Sequence, residues 1–239
     1  MKRLILAGSE FPVSSRVVGV TLDVVENLAY RGDGTGRPSG VFIPPSTAPM
    51  VHGSTLRKYW RYVGLWGPEM SIGAAQVRVG PLVQEFWAVW QREAGVLHQR
   101  THLSSRRVAT TGDRLVVRDG RVAINLELIP VADGAIEVVT PVGAGWTWTR
   151  KVAARATGQV HLNGIRHDID GAALIDDSGG FHPRRTHWRW AAGAGTLADG
   201  RAALWNAVVG LNDRPPHQEN TIWSTAYRSR SGLFSSVAI

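Results

Sequence analysis

Six tight-turn dipeptides divide this chain more decisively than any other feature: Asp-Gly at 33–34, 119–120, 133–134, 170–171 and 199–200, and Asn-Gly at 163–164. These residues tolerate positive φ, the condition for the two-residue turns that join antiparallel strands. Between the turns lie short runs of strand character at 114–118, 121–129, 135–140, 146–154, 159–162, 185–191, 201–209 and 221–228. Their period is two: Trp146, Trp148 and Arg150 fall on one face and Thr147, Thr149 and Lys151 on the other, while Thr186, Trp188 and Trp190 oppose Arg185, His187 and Arg189. The chain therefore reads as a mostly β, antiparallel meander.

Two stretches depart from this rhythm. Residues 1–55 hold an apolar run at 16–25, read as an initial strand, and then a loop at 31–55 crowded with Gly and Pro. A loop of that length is uncommon inside a compact domain and reads as a lid or an insertion. The run LVQEFWAVW at 82–90 fits a strand or a short helix, and 91–102 a helix end or a loop. We expect an N-terminal β portion over 1–140 and a C-terminal barrel half over 141–239.

The absence of cysteine excludes disulfides, thiol nucleophiles and zinc–thiolate sites. No apolar run approaches the ~18 residues that cross a bilayer, so no membrane span and a cytoplasmic location are expected. Net charge is +8, yet Lys2, Lys58 and Lys151 are the only lysines and the arginines never form a run, so nucleic acid is not expected as a partner. Histidines at 98/102, 161/167 and 182/187 lack the HExxH pattern and no P-loop or G-x-S-x-G elbow occurs, so the expectation is no metal and no cofactor.

Ten tryptophans remain to be explained. Four of them, Trp188, Trp190, Trp205 and Trp223, lie among Asp176, Asp177, His182, Arg184, Arg185, His187, Asn206, Asn212, Asp213, Glu219 and Asn220 between 175 and 223. On alternating strands such a block lines an apolar pocket with a few polar groups, or it packs as core with its charges in solvent.

The order acid-acid-x-Gly-Gly-aromatic at 176–181, Arg-x-x-Trp-x-Trp-Ala-x-Gly-x-Gly from Arg185, Leu-Trp-Asn-x-x-x-Gly from Leu204 and Gln-Glu-Asn-x-x-Trp from Gln218 resembles the bacterial family called domain of unknown function 2804. The segment at 56–77 is similar to its upstream Lys-x-Trp region, so the resemblance spans about 56–228. That family in turn is distantly similar to the carotenoid hydratase and lipocalin-like superfamily, which pairs two calycin-type barrels and includes cofactor-free Diels–Alderases. The resemblance implies a calycin/lipocalin-like antiparallel β-barrel with a smaller N-terminal β portion, its interior able to hold one elongated hydrophobic ligand.

It also implies a cofactor-independent enzyme acting on a polyene, polyketide or isoprenoid by cyclisation or by hydration of a C=C bond. The candidate catalytic residues are Asp177 and Glu219 as acids and Arg185 and His187 as donors to a carbonyl, with Asn206 as a further donor. Trp146, Trp148, Trp188, Trp190, Trp205, Asn206 and Trp223 are the candidate substrate-binding residues. The alternative is a non-catalytic carrier of a hydrophobic ligand. An open sheet edge leaves a homodimer as a further expectation.

Overall fold

The computed structural model describes residues 28–104, 106–213, 215–225 and 234–238; the strand expected at 16–25 lies outside them. Alternating sequence becomes strand almost throughout, and helix among the described residues is one 3-10 turn at Pro45–Thr47. No helix among them is long and apolar enough to cross a membrane. Three short strands come first: β1 (Tyr30–Gly32), β2 (Val51–His52) and β3 (Thr55–Leu56). The large sheet is then built from β4 (Lys58–Trp66), β5 (Met70–Val79), β6 (Leu82–Gln91), β7 (Val96–His102), β8 (Val108–Thr111), β9 (Arg114–Asp119), β10 (Val122–Val142), β11 (Gly145–Leu162) and β12 (Ile165–Phe181). Its order is β7-β6-β5-β4-β12-β11-β10-β9-β8, antiparallel at every pairing, with β1 added beside β10. A second, four-stranded sheet holds β13 (Arg189–Thr196), β14 (Ala202–Val209), β15 (Thr221–Thr225) and β16 (Phe234–Ala238) in sequence order.

The large sheet rolls around one apolar core. Val63, Leu65, Ile72, Trp87, Leu115, Leu126, Val152 and Ile175, from seven of its strands, belong to one buried cluster. Burying such side chains contributes about 1.5–3 kcal/mol each. The barrel expected from the resemblance is not closed by a backbone ladder: the sheet is an open path from β7 to β8, and its two ends meet through side chains. Gln76 Nε2 donates to the Val108 carbonyl at 2.5 Å, and the buried Glu85 accepts from the backbone N–H groups of Arg107 (2.8 Å) and Val108 (3.1 Å). Asp119 accepts from Trp87 Nε1 at 2.8 Å and meets His102 Nε2 at 2.8 Å.

Several local expectations change. The runs 121–129 and 135–140 are one strand, because Asp133 (φ 54°) forms a bulge where the register with β11 shifts rather than a hairpin. The runs 146–154 and 159–162 likewise merge into β11. Asp170-Gly171 also sits inside a strand: the Asp170 carboxylate pairs with Arg155, and a Cβ at Gly171 would lie 2.8 Å from the Trp66 carbonyl oxygen. Residues 82–90 are strand, and 91–102 turn back into β7, not into helix, so His98 and His102 sit on a strand, bonded to Gln91 and Asp119. The strand expected from 185 starts at Arg189, after a turn in which Thr186 Oγ1 donates to the Pro183 carbonyl at 2.8 Å.

The described part of the Gly/Pro-rich loop is tied down. Arg37 makes a bidentate pair with the buried Glu137 at 2.5 and 2.8 Å, and Val41, Ile43 and Ala48 cover Trp146, Trp148 and Phe181. The division expected at 140/141 falls within β10, through which the large sheet runs unbroken. The smaller sheet is the C-terminal one, joined to the large sheet by Leu204 and Trp223 packing on Ile136, Ala153 and Leu174.

Candidate active site

Because strand side chains alternate, the face of the large sheet opposite its core is also specified. On β4 it presents Lys58, Trp60 and Tyr62; on β5, Ala75, Val77 and Val79; on β11, Thr147, Thr149 and Lys151; on β12, Asp176 and Ser178. The second sheet and its connections supply Trp188, Trp190, Val208, Asn212 and Glu219. Between them lies a cavity of about 500 Å³, walled mainly by apolar atoms. The expected ligand space inside the roll is instead filled by core side chains.

At the centre of the cavity wall Lys151 is buried between two carboxylates. Its Nζ lies 2.6 Å from Asp176 Oδ2 and 3.6 Å from Glu219 Oε1, with the Trp190 ring 5.8 Å away. All three side chains are buried. Burial pushes the Lys151 ammonium down, but Asp176 and Glu219 together outweigh it and hold the group above the ordinary lysine value. A lysine held charged is a hydrogen-bond donor rather than an amine nucleophile. The carboxylates are fixed in turn: Ser178 Oγ donates to Asp176 at 2.7 Å, and Thr149 Oγ1 (2.7 Å) and Asn212 Nδ2 (3.0 Å) donate to Glu219 Oε2. Tyr62, on the same face, is pushed up to about 12 by burial and by the charge of Asp176, so its phenol stays protonated.

A second polar group lies where β12 ends. Gly179 brings the chain hard against β4 and Gly180 against β11: a Cβ on Gly179 would lie 2.5 Å from the Lys58 carbonyl oxygen, and Gly180, at φ 135°, lies against the Trp146 backbone. The chain then places His182, 3% exposed, beneath Lys58, whose Nζ lies 3.2 Å from His182 Nδ1 and donates to the carbonyls of His182 (2.9 Å) and Pro183 (2.8 Å). Burial first, and then the Lys58 charge, push the imidazole down to about 4. Trp60 and Trp188 stack in parallel beside it, 6.1 Å between centroids.

The residues expected from sequence divide across this geometry. Glu219, Trp188 and Trp190 line the cavity; Trp148 borders it, but its ring belongs with Trp146 to the cluster under residues 41–48 on the other face of β11. Asp177 does not: one step along β12 turns it to the other face, where it meets Arg61 Nη1 at 3.1 Å and Tyr59 Oη at 3.2 Å. Arg185 and His187 are exposed on the 182–188 turn, away from the cavity. Trp146 is buried with Phe181 under residues 41–48, and Trp223 is core between the two sheets. Trp205 packs over Gly193 on the opposite face of the second sheet. Asn206 does not line the cavity but positions two residues that do, accepting from Trp190 Nε1 at 2.6 Å and donating to the Glu219 carbonyl at 3.1 Å.

The candidates from sequence did not include Lys58, Trp60, Tyr62 or Lys151, and they left Asp176 and His182 in the 175–223 block without a role. One signal was available: in an arginine-biased chain both lysines among the described residues line this cavity. No group of three or more His, Asp or Glu among the described residues is arranged to hold a metal ion.

Fold and site together define an antiparallel β protein, its large sheet rolled but unclosed, with an aromatic-walled cavity and a buried lysine–dicarboxylate centre. Residues 96–226, more than half of the chain, match the family model described as "Domain of unknown function (DUF2804)", and the chain belongs to that family. The matched range begins after the 56–77 segment that resembles the family's upstream region. No curated protein matches the chain. Among solved structures it is similar to the AttH protein of Nitrosomonas europaea, at 14% identity over 83% of this chain and 72% of that one, with a TM-score of 0.43. It is also similar to kievitone hydratase of Nectria haematococca (12% identity, 76% and 70%, TM-score 0.40) and to CghA in a structure with Sch210972 (14%, 75% and 59%, 0.31).

Proposed function

We propose that this protein is a cofactor-independent enzyme that folds an apolar polyene, polyketide or isoprenoid in the cavity and promotes its cyclisation. The observation that carries the reading is the Lys151 ammonium, held charged by Asp176 and Glu219 within a largely apolar wall. In a cycloaddition two carbon–carbon σ bonds form at the expense of two π bonds, and no atom is gained or lost. The enzyme then needs to hold a reactive conformer, worth up to ~7–11 kcal/mol in favourable cases, and to stabilise charge growing on a conjugated carbonyl oxygen. The walls Val77, Phe86, Trp60 and Trp188 suit the first task and Lys151 the second.

Hydration of a C=C bond is the second reading, favoured by Glu219, an acceptor fixed by Thr149 and Asn212 within the cavity. There Glu219 would take a proton from water as oxygen adds to one carbon, and the protonated Glu219 would return that proton to the other carbon, so that H and OH are added and the carboxylate is regenerated.

Incubating the dialysed, chelator-treated protein with conjugated polyene carbonyl compounds and following product mass tests both. An isomer of unchanged mass supports cyclisation, and a gain of one water supports hydration. A retained, unchanged ligand would identify a carrier instead.

A further inference from the structure

We propose that one end of the molecule docks on an anionic membrane surface and that the cavity draws its apolar substrate through it. Docking rests on this surface alone, whereas the passage of substrate also rests on the reading that the cavity is the substrate site.

At this end β4, β6 and β11 begin and β5, β7 and β12 finish. Leu103 (86% exposed), just after β7, and Leu82 (70%), at the start of β6, are the most exposed large apolar side chains among the described residues. Phe42, Met50, Val51 and Leu56 are exposed with them. The loop that carries these four is held in place. Val41, Ile43 and Ala48 pack on Trp146 and Phe181. The Arg57 amide donates to the Met50 carbonyl, and the Gly80 amide, beside Leu82, donates to the Arg57 carbonyl, both at 2.8 Å. Exposed apolar groups gathered at one end mark a contact surface.

The charge of this end is of one sign. Residues 34–58, 78–84, 103–107, 141–147 and 181–191, which form it, contain no Asp or Glu. Arg78, Arg106, Arg184, Arg185 and Arg189 are exposed here and make no ion pair among the described residues. Asp213, on the loop after β14, is engaged by the Gly210 amide at 2.9 Å. The opposite end mixes signs, with Glu69, Glu93 and Asp168 among Arg92, Arg121 and Arg166. Anionic lipid headgroups attract unpaired arginines while apolar side chains insert between the lipids.

The apolar groups sit on separate turns with arginines between them, which suits a fluid interface better than the continuous apolar centre of a protein–protein contact. The cavity also reaches this end. Lys58 and Val79, the terminal residues of β4 and β5, line it together with Arg184, Thr186 and Trp188. Trp188 is itself exposed, and tryptophan favours membrane–water interfaces. Asp176 pairs with Tyr62, four residues along β4 from Lys58, so the Lys151 centre lies about 13 Å deeper at ~3.3 Å per strand residue.

The test is flotation with vesicles of phosphatidylcholine alone or with about 30 mol% phosphatidylglycerol. Wild-type protein should bind the anionic vesicles at least about tenfold more tightly, and lose most of that preference at about 0.5 M salt. Leu82→Ser with Leu103→Ser should weaken binding about tenfold, and Arg78→Gln with Arg185→Gln about twenty- to thirtyfold. Arg121→Gln with Arg166→Gln, at the opposite end, should leave it within about twofold. All six side chains are exposed, and an unchanged Tm shows that each variant is folded. No binding by wild type, equal binding to both vesicles, or wild-type affinity in either variant of the docking end overturns the proposal. So does an equal loss in the Arg121/Arg166 variant, which would mean attraction by net charge alone. Docking without any turnover leaves this surface standing and removes the enzymatic reading; turnover of a dissolved polyene without vesicle binding does the reverse.

Discussion

Asp176 and Asp177 are neighbours on β12, yet they belong to two different environments. Asp176 faces the cavity and holds Lys151; Asp177 faces the inside of the roll and pairs with Arg61 and Tyr59. Burial pushes the Asp177 carboxyl up, against the opposing pull of Arg61. On the inner face the charges are anchored to the scaffold, Arg61 also donating to the Gly112 carbonyl at 2.6 Å. On the outer face they surround open space. The same side chain is thus structural or available for chemistry according to which side of one strand it occupies.

The most severe way to break this contrast is Lys151→Met, which leaves two buried carboxylates without their cation. A loss of about 3–5 kcal/mol in urea unfolding is expected, with turnover abolished. Next is acid. Since His182 is held near 4 when folded and titrates near 6.5 when unfolded, its contribution is complete above pH 6.5 and is lost as pH falls toward 4. The loss should approach about 3 kcal/mol, read as a fall in Tm across that window that His182→Phe removes.

Turnover sharpens the comparison further. Asp176→Asn should lower kcat about a hundredfold, or ~2.7 kcal/mol, whereas Asp177→Asn should leave kcat within about twofold. Equal losses in the pair would merge the two faces and remove the distinction. At the weak end, Arg155→Ala on the exposed Arg155–Asp170 pair should leave the urea unfolding midpoint unchanged within measurement error.

Much of this architecture was legible. The alternation of Trp146, Trp148 and Arg150 with Thr147, Thr149 and Lys151 gave the correct faces of β11, and Asn163-Gly164 does join β11 to β12. What could not be read was where strands end. A dipeptide such as Asp133-Gly134 serves a bulge as well as a hairpin, and only the partner strand decides between them. The site was half legible for the same reason. Period two separates Asp176 from Asp177 but does not say which face meets the second sheet, and the β4 contribution of Lys58, Trp60 and Tyr62 depends on a pairing with β12 across more than a hundred residues. Clustering in sequence drew attention to Arg185 and His187, which a turn at Pro183 leaves in solvent.

The seam of the large sheet has a consequence of its own. Elsewhere neighbouring strands are zipped by backbone groups that side-chain truncation leaves in place, but the last closure is fastened by the side chains of Gln76, Glu85 and Asp119. Burial pulls the Asp119 carboxyl up, and the hydrogen bonds from His102 and Trp87 more than offset it, so the clasp is firmest when this group is ionised. Unfastening that one line leaves every ladder intact, so Asp119→Asn is expected to speed hydrogen exchange at the β8 and β9 amides more than elsewhere in the sheet.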